Sequence, residues 1–160
     1  MRLVLALDRA IGALLGLAKW LVIPVVFLLF LQWPLRDVFQ AYSREANDLG
    51  QWIFALFMAA AVTAATRQRI HLAADTFAQR YPPSWRKSIA RAGALLGLAP
   101  WAVFVLYASR QIVWMSLKQL ESFPDTYNPG YFLVKLALWL LAALLLAQAI
   151  VDAVRPRSEP

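Results

Sequence analysis

Residues 131–151 read YFLVKLALWLLAALLLAQAIV, 21 residues whose single charge, Lys135, lies close to one end. At 1.5 Å per residue a helix of that length reaches about 32 Å, enough to cross a hydrocarbon core of about 30 Å. Working outward, three more stretches have the same character, over residues 10–33, 49–66 and 92–117. Four spans in 160 residues leave little chain for a soluble domain. The pattern predicts an all-α polytopic membrane protein, one four-helix membrane domain over residues 1–160. Hydrophobic residues make up 61% of the chain and the mean hydropathy is +0.57. Both values are high for a soluble domain.

The net charge of +7 would suggest nucleic acid in a soluble protein. Here it follows the loops, so no nucleic-acid partner is expected. Arg67, Arg69, Arg80, Arg86, Lys87 and Arg91 crowd between the second and third spans, with Asp75 their one acidic companion. Arg2 and Arg9 precede the first span, and Arg155 and Arg157 follow the last. The remaining loops carry Arg36, Arg44 and Lys118 diluted by Asp37, Glu45, Asp48, Glu121 and Asp125. The positive-inside rule then places both termini and the 67–91 loop in the cytoplasm, facing anionic phospholipid. An even number of spans requires the termini to share a side, which agrees.

The apolar run after Arg9 continues to Leu31, too long for a cleaved signal, so the first span is retained. Its first dozen residues read as an interfacial amphipathic extension, and the 67–91 loop, broken at Pro82-Pro83-Ser84, carries a second interfacial segment. Asn47-Asp48 is a candidate cap for the second span. Pro124-Asp125 and Asn128-Pro129-Gly130 mark turns before the fourth. Trp33, Trp52, Trp114 and Tyr131 fall where an outer aromatic belt belongs. The heptapeptide Gly12-Ala13-Leu14-Leu15-Gly16-Leu17-Ala18 recurs from Gly93 to Ala99, and both copies contain Gly-xxx-Gly. Gly12, Gly16, Gly93 and Gly97 are therefore expected at close helix crossings.

Every one of the nine carboxylates lies outside the span interiors. Ion and proton pathways usually place ionisable groups inside the bilayer. Only Lys19 and Arg110 approach that depth, Lys19 unless the chain before it lies in the interface, and both are candidates for a subunit contact or for snorkelling to the lipid interface. The chain has one histidine, His71, and no cysteine, which leaves no basis for bis-His haem or a zinc site. No Gly-rich phosphate loop or nucleophile–base grouping appears. The expectation is neither an enzyme nor a cofactor carrier.

Residues 45–75 carry a family resemblance. Glu45-Ala46-Asn47-Asp48-Leu49-Gly50-Gln51-Trp52 leads into a small-residue span that exits through Arg67-Gln68-Arg69-Ile70-His71-Leu72-Ala73-Ala74-Asp75. This resembles the small membrane subunit of tripartite ATP-independent periplasmic (TRAP) transporters, in which an acidic residue precedes the second span and a basic stretch with His-x-x-x-Asp closes it. Asp8-Arg9 resembles the start of the family's first span. Leu35-Arg36-Asp37-Val38-Phe39 resembles its Arg-aromatic-Val-Phe step, with Asp37 departing at the aromatic position. Ser122 through Lys135, with Pro129 and Gly130, is similar to its entry to the last span, and Leu145-Leu146-Ala147-Gln148 to its Gln-bearing end.

The resemblance implies a multi-pass protein of the bacterial inner membrane, with two partners. A periplasmic substrate-binding protein would deliver an organic acid, and a large membrane subunit would move it, coupled to sodium. Sodium and substrate sites would belong to that large subunit. Arg36, Glu45, Asp48, Glu121 and Asp125 would lie on the binding-protein docking side. Lys19, Arg67, Arg69, His71, Asp75 and Arg110 would lie at a subunit or lipid interface. Two other readings compete: a membrane anchor for a quinone-linked redox complex, and a small self-sufficient exporter. The anchor usually carries haem-ligating histidines, and the exporter a carboxylate inside its first span.

Overall fold

The computed structural model describes residues 2–41, 43–68 and 81–154. Its elements are helices α1 (Arg2–Ala18), α2 (Val22–Asp37), α3 (Arg44–Gln68), α4 (Pro83–Ala92), α5 (Ala99–Lys118) and α6 (Tyr131–Val154). A 3₁₀ turn over Lys19–Leu21 joins α1 to α2, and a π-helical stretch over Gly93–Leu98 joins α4 to α5. Four helical stretches are long and apolar enough to span a bilayer: Arg2–Asp37, Arg44–Gln68, Gly93–Lys118 and Tyr131–Val154. They are the four spans read from the sequence, each helix running past one or both of its apolar limits.

Both irregular joints sit over a proline. Proline lacks an N–H and its ring clashes with the carbonyl four residues back. For Pro24 that carbonyl belongs to Trp20, inside the 3₁₀ turn; for Pro100 it belongs to Leu96, inside the π-helical stretch. The helix axis continues through both, as bilayer helices can when local 3₁₀ and π geometry absorbs the fault.

The second span begins one turn earlier than the sequence predicts. Its cap is Ser43, not Asn47-Asp48: the Ser43 hydroxyl accepts a hydrogen bond from the Ala46 N–H at 3.2 Å. Ser43 stands three residues before that N–H, where a capping oxygen reaches an orphan donor. Asp48 is thus freed for another role. At the other break, Pro83 opens α4 as the first helical residue, and the Pro82 carbonyl accepts from the Trp85 and Arg86 N–H groups. That position suits proline because its missing N–H would be unpaired anyway.

The spans neighbour one another in the order first, second, fourth, third. The fourth packs along both the second and the third, the second along the first, and α1 touches α3 and α6 at one end. Buried Ala59, Ala60, Ala102, Ala137, Ala142 and Ala149 line these crossings. Small side chains let backbones approach where no hydrophobic force separates helix from lipid. The close crossings expected at the repeated glycines are not formed within this chain. A methyl group added at Gly16, Gly93 or Gly97 would meet nothing within 4 Å. Alanines on the inner faces supply the smallness instead. Thr63 and Thr66 donate to the Ala59 and Val62 carbonyls of their own helix, at 2.8 and 2.9 Å.

Candidate functional site

The polar side chains gather at the two ends of the bundle. Asp48 and Arg67 stand on one helix, separated by about 28 Å of helical rise, close to the thickness of a hydrocarbon core. Each anchors a cluster.

At the basic end, Arg67 occupies the last turn of α3. Its Nη1 lies 2.7 Å from Asp8 Oδ1 of α1 and donates to Gln148 Oε1 of α6 at 3.4 Å. Gln148 is fully buried and its Nε2 donates to Asp152 Oδ1 at 2.9 Å. One guanidinium thus ties three spans together at a helix C-terminus, where positive charge is favoured. Gly12 makes room for it: a Cβ there would stand 3.3 Å from Arg67 Nη2. The smallness of Gly12 admits a side chain rather than a helix.

At the other end, Asp48 is 6% exposed. Its Oδ2 accepts from the Thr126 hydroxyl at 2.5 Å and from Asn128 Nδ2 at 3.1 Å. These bonds fasten the loop between the third and fourth spans onto the second. The loop closes on itself as well: Phe123 N–H donates to the Asn128 carbonyl at 2.8 Å, and Tyr127 N–H to the Phe123 carbonyl at 2.9 Å. Phe123 is buried, edge-on to Tyr131 with ring centres 5.4 Å apart. Gly130 has φ +138°, a backbone state side chains resist, and a Cβ there would also press Phe123 at 3.4 Å and Trp52 at 3.6 Å. Lys135 Nζ reaches Glu121 Oε2 at 2.5 Å. That hydrogen bond holds the Glu121 carboxyl below its usual 4.5. An open cavity of about 570 Å³ lies beside the loop, lined by Arg44, Asn47, Asp48, Gln51, Asp125 and Thr126 among others.

Between the two ends, Trp139 Nε1 donates to Ser109 Oγ at 3.0 Å, joining the fourth span to the third. Among the described residues no group of three or more His, Cys, Asp or Glu comes together.

The candidate residues separate as follows. Asp48 and Asp125 share the cavity, while Glu121 is spent on Lys135. Arg36 pairs with its exposed neighbour Asp37 at 2.9 Å, and Glu45 accepts from Ser43 at 3.1 Å. Lys19 and Arg110 are exposed beside aromatic rings: Lys19 Nζ is 5.6 Å from the centre of Trp20, and the Arg110 guanidinium carbon 3.9 Å from that of Tyr107. Arg69, His71 and Asp75 lie outside the described residues. Asp8, Gln148 and Asp152, and Thr126 and Asn128, complete the two clusters; the sequence marked Asp8 and Gln148 as family-like positions and Asn128 as a turn, and none of the five as a site residue. Gln148, a lone amide in the apolar last span, was the clearest signal.

Four bilayer-length apolar helices, tied at both ends and once between, define an all-α polytopic membrane protein. The family model for "Tripartite ATP-independent periplasmic transporters, DctQ component" matches residues 25–159. The chain belongs to that family, the small permease component of such transporters. No curated protein and no solved structure matches it.

Proposed function

We propose that this chain is the fixed scaffold of a TRAP-type secondary transporter in a bacterial inner membrane. Its termini and basic end face the cytoplasm. It braces a large sodium-coupled subunit that takes up organic acids delivered by a periplasmic binding protein, which docks at the Asp48 end.

The observation that carries the scaffold role is where the polar groups are spent. Arg67 joins α1, α3 and α6; Asp48 joins α3 to the loop before α6; Trp139 joins α6 to α5. These contacts stiffen the bundle instead of lining a route through it. A moving transport domain needs such a rigid neighbour. The loop charges support the orientation. Helix α4 supports contact with phospholipid: Trp85 and Ile89 on it and Tyr81 just before it are exposed at four-residue spacing, with Arg86 flanking that stripe and Arg91 on the far side.

The test is co-purification. With an affinity tag on this chain, a co-expressed large TRAP membrane subunit from the same source should be retained in mild detergent. Purification of this chain alone, with that large subunit fully active in its absence, would overturn the proposal.

A further inference from the structure

Among its described residues the first span buries only Ile11 and Val25. Ile23, Val26 and Phe30 are 55%, 58% and 70% exposed. Gly16 and Lys19 continue the same stripe at helical spacing, Lys19 exposed and Gly16 facing open space. The depth of Lys19 follows from the cluster at the basic end. Asp8 is level with Arg67 because the two are paired. The helix runs from Arg2 to Asp37 as one stretch, so Lys19 stands eleven residues further along the same axis, about 17 Å of rise. Trp33 at the opposite boundary is about 21 Å away. In a core of about 30 Å that places Lys19 in the middle third. An extended lysine reaches about 6 Å, short of either boundary. Its recorded neighbour is the Trp20 ring, and among the described residues no carboxylate contacts it.

A cation at that depth is nearly always paired. We infer that Lys19 forms an intramembrane ion pair with an aspartate or glutamate on a transmembrane helix of the large subunit, which seats on the stripe Gly16, Lys19, Ile23, Val26 and Phe30. The inference rests on the subunit role proposed above. A second copy of this chain cannot supply the acid. None of its nine carboxylates lies inside a span, and those flanking Lys19 in sequence, Asp8 and Asp37, are eleven and eighteen residues away at opposite boundaries. Gly16, one turn from Lys19 with nothing within 4 Å, lets the partner backbone come close.

The test uses the co-expressed complex, retained through a tag on this chain. Lys19→Met should hold the large subunit roughly three- to twentyfold less well, the range for polar contacts between membrane helices. Lys19→Arg should stay near wild type. Purified alone, Lys19→Met should accumulate and melt like wild type, since among the described residues the side chain meets its neighbour Trp20 and no other span. A photo-crosslinker at Ile23 should map to a large-subunit helix bearing an acid within one turn, and exchanging the two charges should restore retention. Wild-type retention by Lys19→Met, with crosslinks to lipid only, would overturn the ion pair and leave the subunit role standing. Crosslinks to a second copy of this chain would overturn the choice of partner. Failure of the wild-type chain to retain any large subunit would overturn both.

Discussion

The two ends of the bundle are built from opposite kinds of chemistry. At the basic end one cation, Arg67, is shared by groups from α1 and α6, so the tie runs directly between spans. At the other end one anion, Asp48, is shared by two neutral donors of a loop, so the tie runs from a span to a surface feature. The difference teaches what each end is for. Charge neutralisation among helices fixes their spacing. Hydrogen bonds to a loop fix the shape of whatever that end presents, here the rim of the 570 Å³ cavity.

The sharpest way to break the comparison is to ask which end faces which compartment. The expected contrast is all-or-none. The chain has no cysteine, so single-cysteine variants report cleanly. Tyr127→Cys, at a position 83% exposed, should react with an impermeant thiol reagent in intact cells; Ser88→Cys on α4 should react only after permeabilisation. Reversed labelling would invert the assignment of the ends.

Next in size is Arg67→Met. Removing one partner of a buried ion pair costs about 3–5 kcal/mol. The Arg67 and Asp8 side chains retain 17% and 23% exposure, so about 2 kcal/mol is expected here. Thermal unfolding in detergent would show it, with Arg67→Lys losing less. Asp48→Ala should cost less again, about 1–2 kcal/mol, because two hydroxyl and amide donors lose an ionised acceptor. Its distinctive mark is local. Hydrogen exchange should rise through residues 121–128 and stay unchanged at the Arg67 end. A uniform rise would mean that the two ends are one cooperative unit.

The smallest effect concerns Glu121, where the sign follows from the depressed carboxyl. Its ionised form is favoured in the folded chain by Lys135, so this contribution is fully present above the usual carboxylate value of 4.5. It is lost as pH falls through the lowered value. Glu121→Gln should therefore be less stable than wild type at neutral pH, and the two should converge under acid. A gap that widened on acidification would contradict the pairing.

Much of this was legible in the sequence, and the part that was not has a physical reason. Span number and approximate position follow from apolar length, and the distinct charge of the ends from the loops. Pro24 and Pro100 stand inside two spans, where proline disturbs a helix, but nothing in the sequence says that one joint tightens and the other widens. Hydropathy records neither helix rotation nor relative depth. That is why the pairing of Asp8 with Arg67, fifty-nine residues apart, was invisible, as was that of Asp48 with Thr126. It is also why the glycine repeat could not be assigned a neighbour: Gly-xxx-Gly marks a permissive surface, and among the described residues three of the four glycines have nothing within 4 Å there. Lys19 was recognisable as unusual, but its depth could be reckoned along the helix only once Asp8 had been levelled with Arg67.

The scaffold role is tested most directly by reconstitution. Purified and placed in vesicles by itself, this chain should give no uptake of any organic acid, with or without a sodium gradient. Adding the large subunit and the binding protein should restore uptake, with a sodium-to-substrate ratio that Lys19→Met and Arg67→Met leave unaltered in whatever complex still assembles. Sodium-dependent uptake by the small chain alone, or a changed ratio in an assembled variant, would contradict it.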